Sequence, residues 1–86
     1  MIITTPAALA QVAKNARKAK GMTQQDVADL VGVKQKTVSA FENHPEGTRI
    51  DTLFRLLSAL ELECLLEPRD KTPLGDTRAS AWTEEW

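Results

Sequence analysis

Two short helix-like runs separated by one glycine constrain the fold of this chain more than any other feature. The stretch TQQDVADLVGVKQKTVSAFEN, residues 23–43, has one apolar-periodic run before Gly32 and a second after it. A glycine between two helices predicts a sharp turn in the left-handed conformation. Ala28 is small where the two helices approach each other, and Val33 and Val38 fill the angle between them. The pattern predicts a helix-turn-helix.

Capping residues and apolar spacing extend this unit to four helices. The first begins at Pro6 after the N-cap Thr5, and Gly21 ends it. A capping box formed by Thr23 and Asp26 starts the second.

The third helix spans roughly residues 35–43, and Lys34 is a poor N-cap for it. A capping box of Thr48 and Asp51 is expected at the start of the fourth. The apolar spacing of the fourth helix predicts a buried stripe of Ile50, Leu53, Phe54, Leu57 and Leu60. The fold class is therefore mainly α, with a four- to five-helix domain over residues 1–60.

In the segment ELECLLE, residues 61–67, one set of apolar side chains alternates with three glutamates and Leu65, a period of two that predicts a short strand. A single strand in a helical domain lacks a pairing partner, so we expect it to pair with a second copy of the chain. The dimerisation residues are then Leu62, Cys64 and Leu66. The alternative is a fourth helix that continues through Leu62 and Leu65.

Residues 68–86 combine prolines, glycine and many polar residues without periodicity, which predicts a flexible C-terminal tail. Both tryptophans of the chain, Trp82 and Trp86, lie in this tail. Tryptophan is a common anchor at protein interfaces, so we expect a partner there. The alternative is that the tryptophans pack on their own domain or make no contact.

Length and composition restrict the function classes. The chain has 86 residues, one cysteine and no apolar run of membrane-spanning length, and its N-terminus lacks a charged segment of the signal-peptide type. A cytoplasmic protein with no zinc site is the simplest interpretation. Residues 1–50 hold seven basic and four acidic side chains, whereas residues 51–86 hold four and eight. Unless this asymmetry is chance, it indicates two different partners.

The third helix has a polar, basic leading face with no acid before Glu42. Glutamine can pair with adenine, lysine can donate to guanine, and threonine can contact thymine or a phosphate. This face therefore predicts contact with a DNA major groove. Its candidate residues are Lys34, Gln35, Lys36, Thr37 and Ser39.

These segments, together with IDTLFRLLSAL, resemble the Cro/repressor-type (XRE-like) helix-turn-helix family. The resemblance implies that Gln24 holds a DNA phosphate and supports a neighbour on the third helix, and that Asn43 approaches the backbone. It also implies phosphate contacts for Arg17 and Lys18 at the basic end of the first helix, with solvated cations as the alternative. Glu42 matches a structural position of that family.

The order of recognition segment, NHPEGT loop, strand and a tail ending in EW resembles a narrower group, the HipB-type antitoxins. That resemblance implies a homodimer that binds a palindromic operator, represses its own operon and binds a HipA-type serine/threonine kinase toxin. It implies toxin binding by Trp86, whereas Trp82 has no clear counterpart. A cytoplasmic bacterial protein associated with the nucleoid follows from this.

Two other hypotheses remain open at this point. One is a stand-alone phage or chromosomal regulator without a toxin partner, and the other is an interaction adaptor that no longer binds DNA. An enzyme is not expected, because His44 lies in a loop with no nucleophile placed beside it, and no phosphate-binding loop or nucleophile motif occurs. Neither a cofactor nor a metal is expected.

Overall fold

The structure, a computed structural model, describes residues 2–69. Its four α-helices confirm the predicted mainly α fold, and a single 3-10 turn, Pro45–Gly47, joins the last two. The helices are α1 (Pro6–Ala19), α2 (Gln24–Val31), α3 (Gln35–Asn43) and α4 (Ile50–Ala59).

The predicted N-caps of α1 and α2 are confirmed. The Thr5 hydroxyl accepts from the backbone N–H of Ala8 at 3.1 Å, and Pro6 occupies the first turn. At α2, the Thr23 hydroxyl accepts from the Asp26 N–H at 3.0 Å, while the Asp26 carboxylate accepts from the Thr23 N–H at 2.8 Å. These bonds satisfy amides that a helix start leaves unpaired, and they fix where each helix begins.

The helix ends explain why the chain turns where it does. Gly32 has a φ of 73°, the left-handed conformation predicted for its turn, and Gly21, predicted to end the first helix, has a similar φ of 69°. After α4, the same conformation falls on Glu61, with φ of 58°. The Leu62 N–H donates to the Leu57 carbonyl at 2.9 Å, which closes the helix end. This closure rules out the alternative of a fourth helix continuing through Leu62.

One core holds the four helices together. It is built of small residues on α1 and α2 and larger apolar residues from α2 to the end of α4: Ala10, Ala13, Val27, Ala28, Val38, Phe41, Leu56 and Leu60.

The predicted stripe of α4 is partly wrong. Ile50 is 70% exposed and Phe54 is 53% exposed, whereas Leu56, absent from the prediction, is 1% exposed. The side chains that face the core include Leu56 and Leu60, which lie one helical turn apart. Ile50 and Phe54 also lie one turn apart, but on a side of α4 that no other part of the described chain covers.

The expected capping box of Thr48 and Asp51 is also wrong. The N-cap of α4 is Arg49, whose side chain makes no capping bond. The Asp51 carboxylate instead accepts from the Thr52 N–H at 2.8 Å and from Arg49 at 3.2 Å. The helix therefore begins one residue later than the box requires.

Residues 62–68 are described without helix or strand. Leu62 packs against the core of its own chain, while Cys64 and Leu66 are exposed. A strand that pairs only with a second copy has no ladder within one chain, so the dimer strand over 61–67 stays a prediction. Trp82 and Trp86 lie outside the described residues.

Candidate nucleic-acid interface

The angle between α2 and α3 is set by buried side chains. Ala28 has no exposed surface, and it packs in one cluster with Val27, Val38 and Phe41. The turn is closed by the Val33 N–H, which donates to the Ala28 carbonyl at 3.1 Å. A larger side chain at 28 has no space, so the sequence admits only a close, fixed crossing.

The start of α3 projects away from this core. Lys34, Gln35 and Lys36 are exposed, and we call these three residues the recognition face. The N-cap Lys34 makes no side-chain capping bond, as expected from its type. No side chain therefore caps the first turn, and the positive end of the helix dipole lies beside two ammonium groups. An anion or an acceptor-rich base edge suits this surface.

Beneath the recognition face lies a mostly buried ion pair. Arg17 of α1 donates from Nε and one terminal nitrogen to the two carboxylate oxygens of Glu42, at 2.7 and 3.1 Å. Its remaining terminal nitrogen donates to the Met22 carbonyl at 2.8 Å. Only 11% of the Arg17 side chain and 4% of the Glu42 side chain are exposed. The predicted phosphate contact of Arg17 does not fit this placement, because its guanidinium is already occupied inside the fold.

The charges of this pair shift the pKa values of both partners. The hydrogen bond to Glu42, reinforced by its charge, raises the pKa of Arg17 despite the opposing effect of burial. Burial raises the pKa of Glu42, but hydrogen bonds from Arg17 and Gln24, together with the charges of Arg17 and Lys14, outweigh it and leave the pKa lowered. Glu42 is therefore a carboxylate at neutral pH and can only accept hydrogen bonds.

A chain of amides connects the ion pair to the recognition face. The side-chain N–H of Gln24 donates to Glu42 at 3.0 Å, and the side-chain N–H of Gln35 donates to the side-chain oxygen, Oε1, of Gln24. Gln24 therefore lies between the buried carboxylate and the first residue of α3. The predicted support of a third-helix neighbour by Gln24 agrees with this contact.

The remaining predicted contacts divide by exposure. Lys18 is exposed near the end of α1, whereas Thr37 and Ser39 are half-buried on α3. The Asn43 amide donates to the Ser39 carbonyl at 3.0 Å and to its hydroxyl at 3.3 Å. Asn43 and Ser39 thus support each other at the far end of α3.

Sequence reasoning did not assign the surface that borders α3 on its other side. A cavity of about 570 Å³ there is lined by α3, the 3-10 turn and the start of α4. Arg49 and Thr48 extend the polar surface of Lys36 into this cavity. A basic residue, Arg49, in the first turn of the predicted fourth helix was the available signal. The lining residues are Lys36, Thr37, Ala40, His44, Gly47, Thr48, Arg49 and Thr52.

Within residues 2–69, no helix is long and apolar enough to cross a membrane. The same part of the chain contains no group of three or more His, Cys, Asp or Glu side chains placed to hold a metal ion.

The chain is similar to known helix-turn-helix proteins over most of its length. A helix-turn-helix family model matches residues 14–64. The antitoxin HipB of Escherichia coli strain K12 is 42% identical over 64 residues, which cover 74% of this chain and 73% of that protein. A HipB-O4 20mer complex contains a chain that is 38% identical with a TM-score of 0.78, covering 81% of this chain and 99% of that one.

A HipA-HipB-O2-O3 complex contains a chain that is 38% identical with a TM-score of 0.79, and the match again covers 81% of this chain and 99% of that one. Both the sequence identity and the shared backbone therefore extend beyond the helix-turn-helix itself. The chain belongs to the helix-turn-helix family and, within it, to the HipB antitoxins.

Proposed function

We propose that this chain is a dimeric, sequence-specific DNA-binding antitoxin that represses its own operon and binds a HipA-type kinase toxin. The observation that carries the proposal is the exposed recognition face, held at a fixed angle by Ala28 in a chain 42% identical to HipB. The related structures include complexes of HipB with O4 and of HipA with HipB, O2 and O3. Double-stranded DNA and a HipA-type toxin are therefore the partners that the family indicates.

The DNA contacts follow from chemistry and exposure. Gln35 and Lys36 read base edges in the major groove, and Lys34 contacts a phosphate at the turn. Gln24 and Lys18 contact the backbone, and other polar side chains support the edges of the interface: Thr37, Ser39, Asn43, Thr48 and Arg49. Each phosphate neutralised adds about 0.9 to the slope of the logarithm of affinity against the logarithm of salt concentration.

A dimer follows from exposed apolar surface and from the small size of the domain. Ile50 and Phe54 lie one turn apart on one side of α4, and we call them the apolar face. Leu66 is 88% exposed on the following segment, close in sequence to Cys64. Burial of these side chains against a second copy removes them from water. Two recognition faces then bind a palindrome with half-sites about 10 base pairs apart, or a multiple of that.

The division of labour along the chain follows the sequence: a DNA-binding domain over 1–60, a dimerisation segment over 61–67, with Leu62, Cys64 and Leu66, and a toxin-binding tail over 68–86. Trp86 and Trp82 are the tail's proposed anchors: Trp86 on the strength of its residue type and the family resemblance, and Trp82 on its residue type alone. The proposed location is the bacterial cytoplasm, on the nucleoid, and the protein acts by binding without catalysing a reaction.

Selection from a random duplex library, followed by footprinting on the chain's own promoter, tests DNA binding. We expect a palindromic site. We also expect Gln35→Ala and Lys36→Ala each to weaken binding to that site by about tenfold or more. The matched controls are Gln11→Ala, an exposed glutamine on α1, and Arg69→Ala, which removes one positive charge from the segment after α4. Equal affinity of Gln35→Ala and wild type for the selected site contradicts the proposal.

Co-purification from the native host tests the toxin contact. We expect a HipA-type kinase to bind the full chain and to be lost when residues 76–86 are deleted, while operator affinity is retained. If no kinase is captured although the operator is still bound, the chain is a stand-alone regulator.

A further inference from the structure

Gln35 can present two different patterns to a base, depending on which way its amide is turned. A glutamine side chain carries one carbonyl oxygen and an NH2 group with two hydrogens. With one N–H bonded inside the protein, Gln35 offers one donor and one acceptor. With its oxygen bonded inside instead, it offers two donors. Glu42 lies two hydrogen bonds away from Gln35, with Gln24 between them.

The selection follows from the direction of each hydrogen bond. Because the Glu42 carboxylate can only accept, Gln24 must turn its NH2 toward Glu42, as it does at 3.0 Å. The side-chain oxygen of Gln24 then faces Gln35 and can only accept, so the Gln35 side chain must donate to it. Arg17 fixes Glu42 by contacting both carboxylate oxygens, at 2.7 and 3.1 Å.

We propose, on the basis of the proposed DNA-binding function, that Glu42 is a specificity-determining positioning residue that sets Gln35 to read adenine. One donor and one acceptor match adenine, which presents an acceptor at N7 and a donor at N6 in the major groove. Two donors match guanine, whose N7 and O6 both accept. Glu42 acts entirely through Gln24, and its 4% exposed side chain leaves it no surface for DNA.

The isosteric change Glu42→Gln tests the mechanism because an amide can donate. The oxygen at the Oε2 position can still accept from Arg17 Nε, while the NH2 takes the Oε1 position, which faces Gln24 and gives up the 3.1 Å bond from Arg17. That placement reverses each amide in the chain and leaves Gln35 with two outward donors. Removal of a negative charge alone strengthens binding to every duplex alike. A change in base preference therefore separates the positioning effect from the charge effect.

The experiment measures binding to the selected operator and to a copy in which the base pair read by Gln35 is changed from adenine to guanine. The preference of Gln35→Ala identifies that base pair. We expect Glu42→Gln to lower the adenine-over-guanine ratio by about tenfold or more. In a Gln35→Ala background, Glu42→Gln should leave the ratio unchanged, whereas a merely structural effect of position 42 persists there. Circular dichroism and thermal unfolding establish that each variant is folded.

Two further variants test the amide chain separately from the ion pair and control for the loss of charge. Gln24→Leu interrupts the amide chain but leaves the ion pair, so we expect the ratio to fall toward one because Gln35 is free to turn. Loss of a phosphate contact at Gln24 lowers affinity for both duplexes equally and leaves the ratio unchanged. Asp29→Asn is the matched control, since it removes the same charge from the exposed surface of α2.

The outcomes distinguish this inference from the function on which it rests. A wild-type chain that selects no duplex overturns both. If the wild-type chain selects an operator but the folded Glu42→Gln variant keeps the same base preference, only the role of Glu42 is overturned. If Glu42→Gln does not fold, an unchanged preference of Gln24→Leu has the same consequence.

Discussion

Two exposed surfaces of this chain differ in what lies beneath them. The recognition face is polar and rests on the Arg17–Glu42 pair, which is connected to it through Gln24. The apolar face of Ile50 and Phe54 lies beside a purely apolar core on α4, which includes Leu56. The first surface is oriented by directional bonds, and the second only by the helix that carries it.

The difference indicates two kinds of partner. Directional polar groups give specificity, because an unmatched donor or acceptor loses its hydrogen bond on binding. Exposed apolar side chains gain from any close-fitting apolar surface, without direction. A small DNA-binding protein needs both, one surface to select a sequence and one to bring two copies together. The following predictions test whether the two surfaces are independent.

The largest effect is expected from removing one partner of the buried ion pair. Arg17→Ala leaves the Glu42 carboxylate without its ion-pair partner in a nearly buried position, and we expect a loss of about 3–5 kcal/mol in the free energy of unfolding. Urea titration followed by circular dichroism measures the loss. Lys18→Ala, next in the sequence but exposed, should change stability by less than about 0.5 kcal/mol.

An apolar replacement of the whole pair sharpens this result. Arg17→Met combined with Glu42→Leu removes both charges, and stability should return to near the wild-type value. The base preference of the recognition face should not return, since no carboxylate orients Gln24. If stability and preference recover together, the pair serves packing alone.

Acid should weaken the same region. The pKa of Glu42 in the folded state lies below its usual value of 4.5, so its ion pair contributes stability above that pH and loses it as the pH falls through the folded-state pKa. Thermal unfolding between pH 7 and pH 3 measures the decline. The Arg17→Met/Glu42→Leu variant should decline less steeply over that range, and parallel curves contradict this assignment.

A smaller effect is expected from substitutions at the apolar face, and it should appear in the dimer dissociation constant and not in the free energy of unfolding. Phe54→Ser removes an aromatic side chain worth about 1.5–3 kcal/mol when fully buried. Each copy of Phe54 is 53% exposed in the single chain and a dimer contains two copies, so dimerisation should weaken by roughly tenfold to a hundredfold. Sedimentation equilibrium measures the dimer dissociation constant. Gln35→Ala on the recognition face should leave that constant unchanged. An unchanged constant for both Phe54→Ser and Ile50→Ser shows that this face does not join two copies.

Local signals made much of the fold predictable from the sequence. Thr5, Thr23 and Gly32 act within four residues of where they stand, and each lies where capping and turn chemistry placed it. The burial of Ala28 was predictable for the same reason, because a small residue near the turn allows two helices to pack closely. Local rules failed at α4, where the spacing of leucines and phenylalanine fits more than one inward stripe.

The candidate site was less predictable because its parts are distant in the sequence. Arg17 is one of four basic residues near the end of α1, and nothing local distinguishes it from Lys18. Its partner Glu42 lies 25 residues away and meets it only after α1 packs against α3. The hydrogen bonds from Glu42 through Gln24 to Gln35 were likewise only partly predictable. Their direction depends on the position of the Glu42 carboxylate, which the sequence alone does not give.

The smallest expected effect compares the turn after α2 with the turn after α4. Gly32 and Glu61 both have positive φ, but only Gly32 has the residue type that adopts it without strain. We expect Gly32→Ala to lower the free energy of unfolding by about 1 kcal/mol, although no atom lies within 4 Å of the added carbon. Because the cause is backbone conformation, the loss should be seen without any change in the packing of Val33.

The converse change, Glu61→Gly, should act in the opposite direction. It relieves the same backbone strain, and the gain is reduced by loss of the exposed ion pair with Lys20. Lys20→Ala removes the ion pair alone, so the difference between the two variants isolates the backbone contribution in thermal unfolding. If Glu61→Gly destabilises the protein more than Lys20→Ala does, Glu61 is held by contacts beyond that pair. The segment from Leu62 to Leu66 is the place to seek them, since its direction is set by this turn.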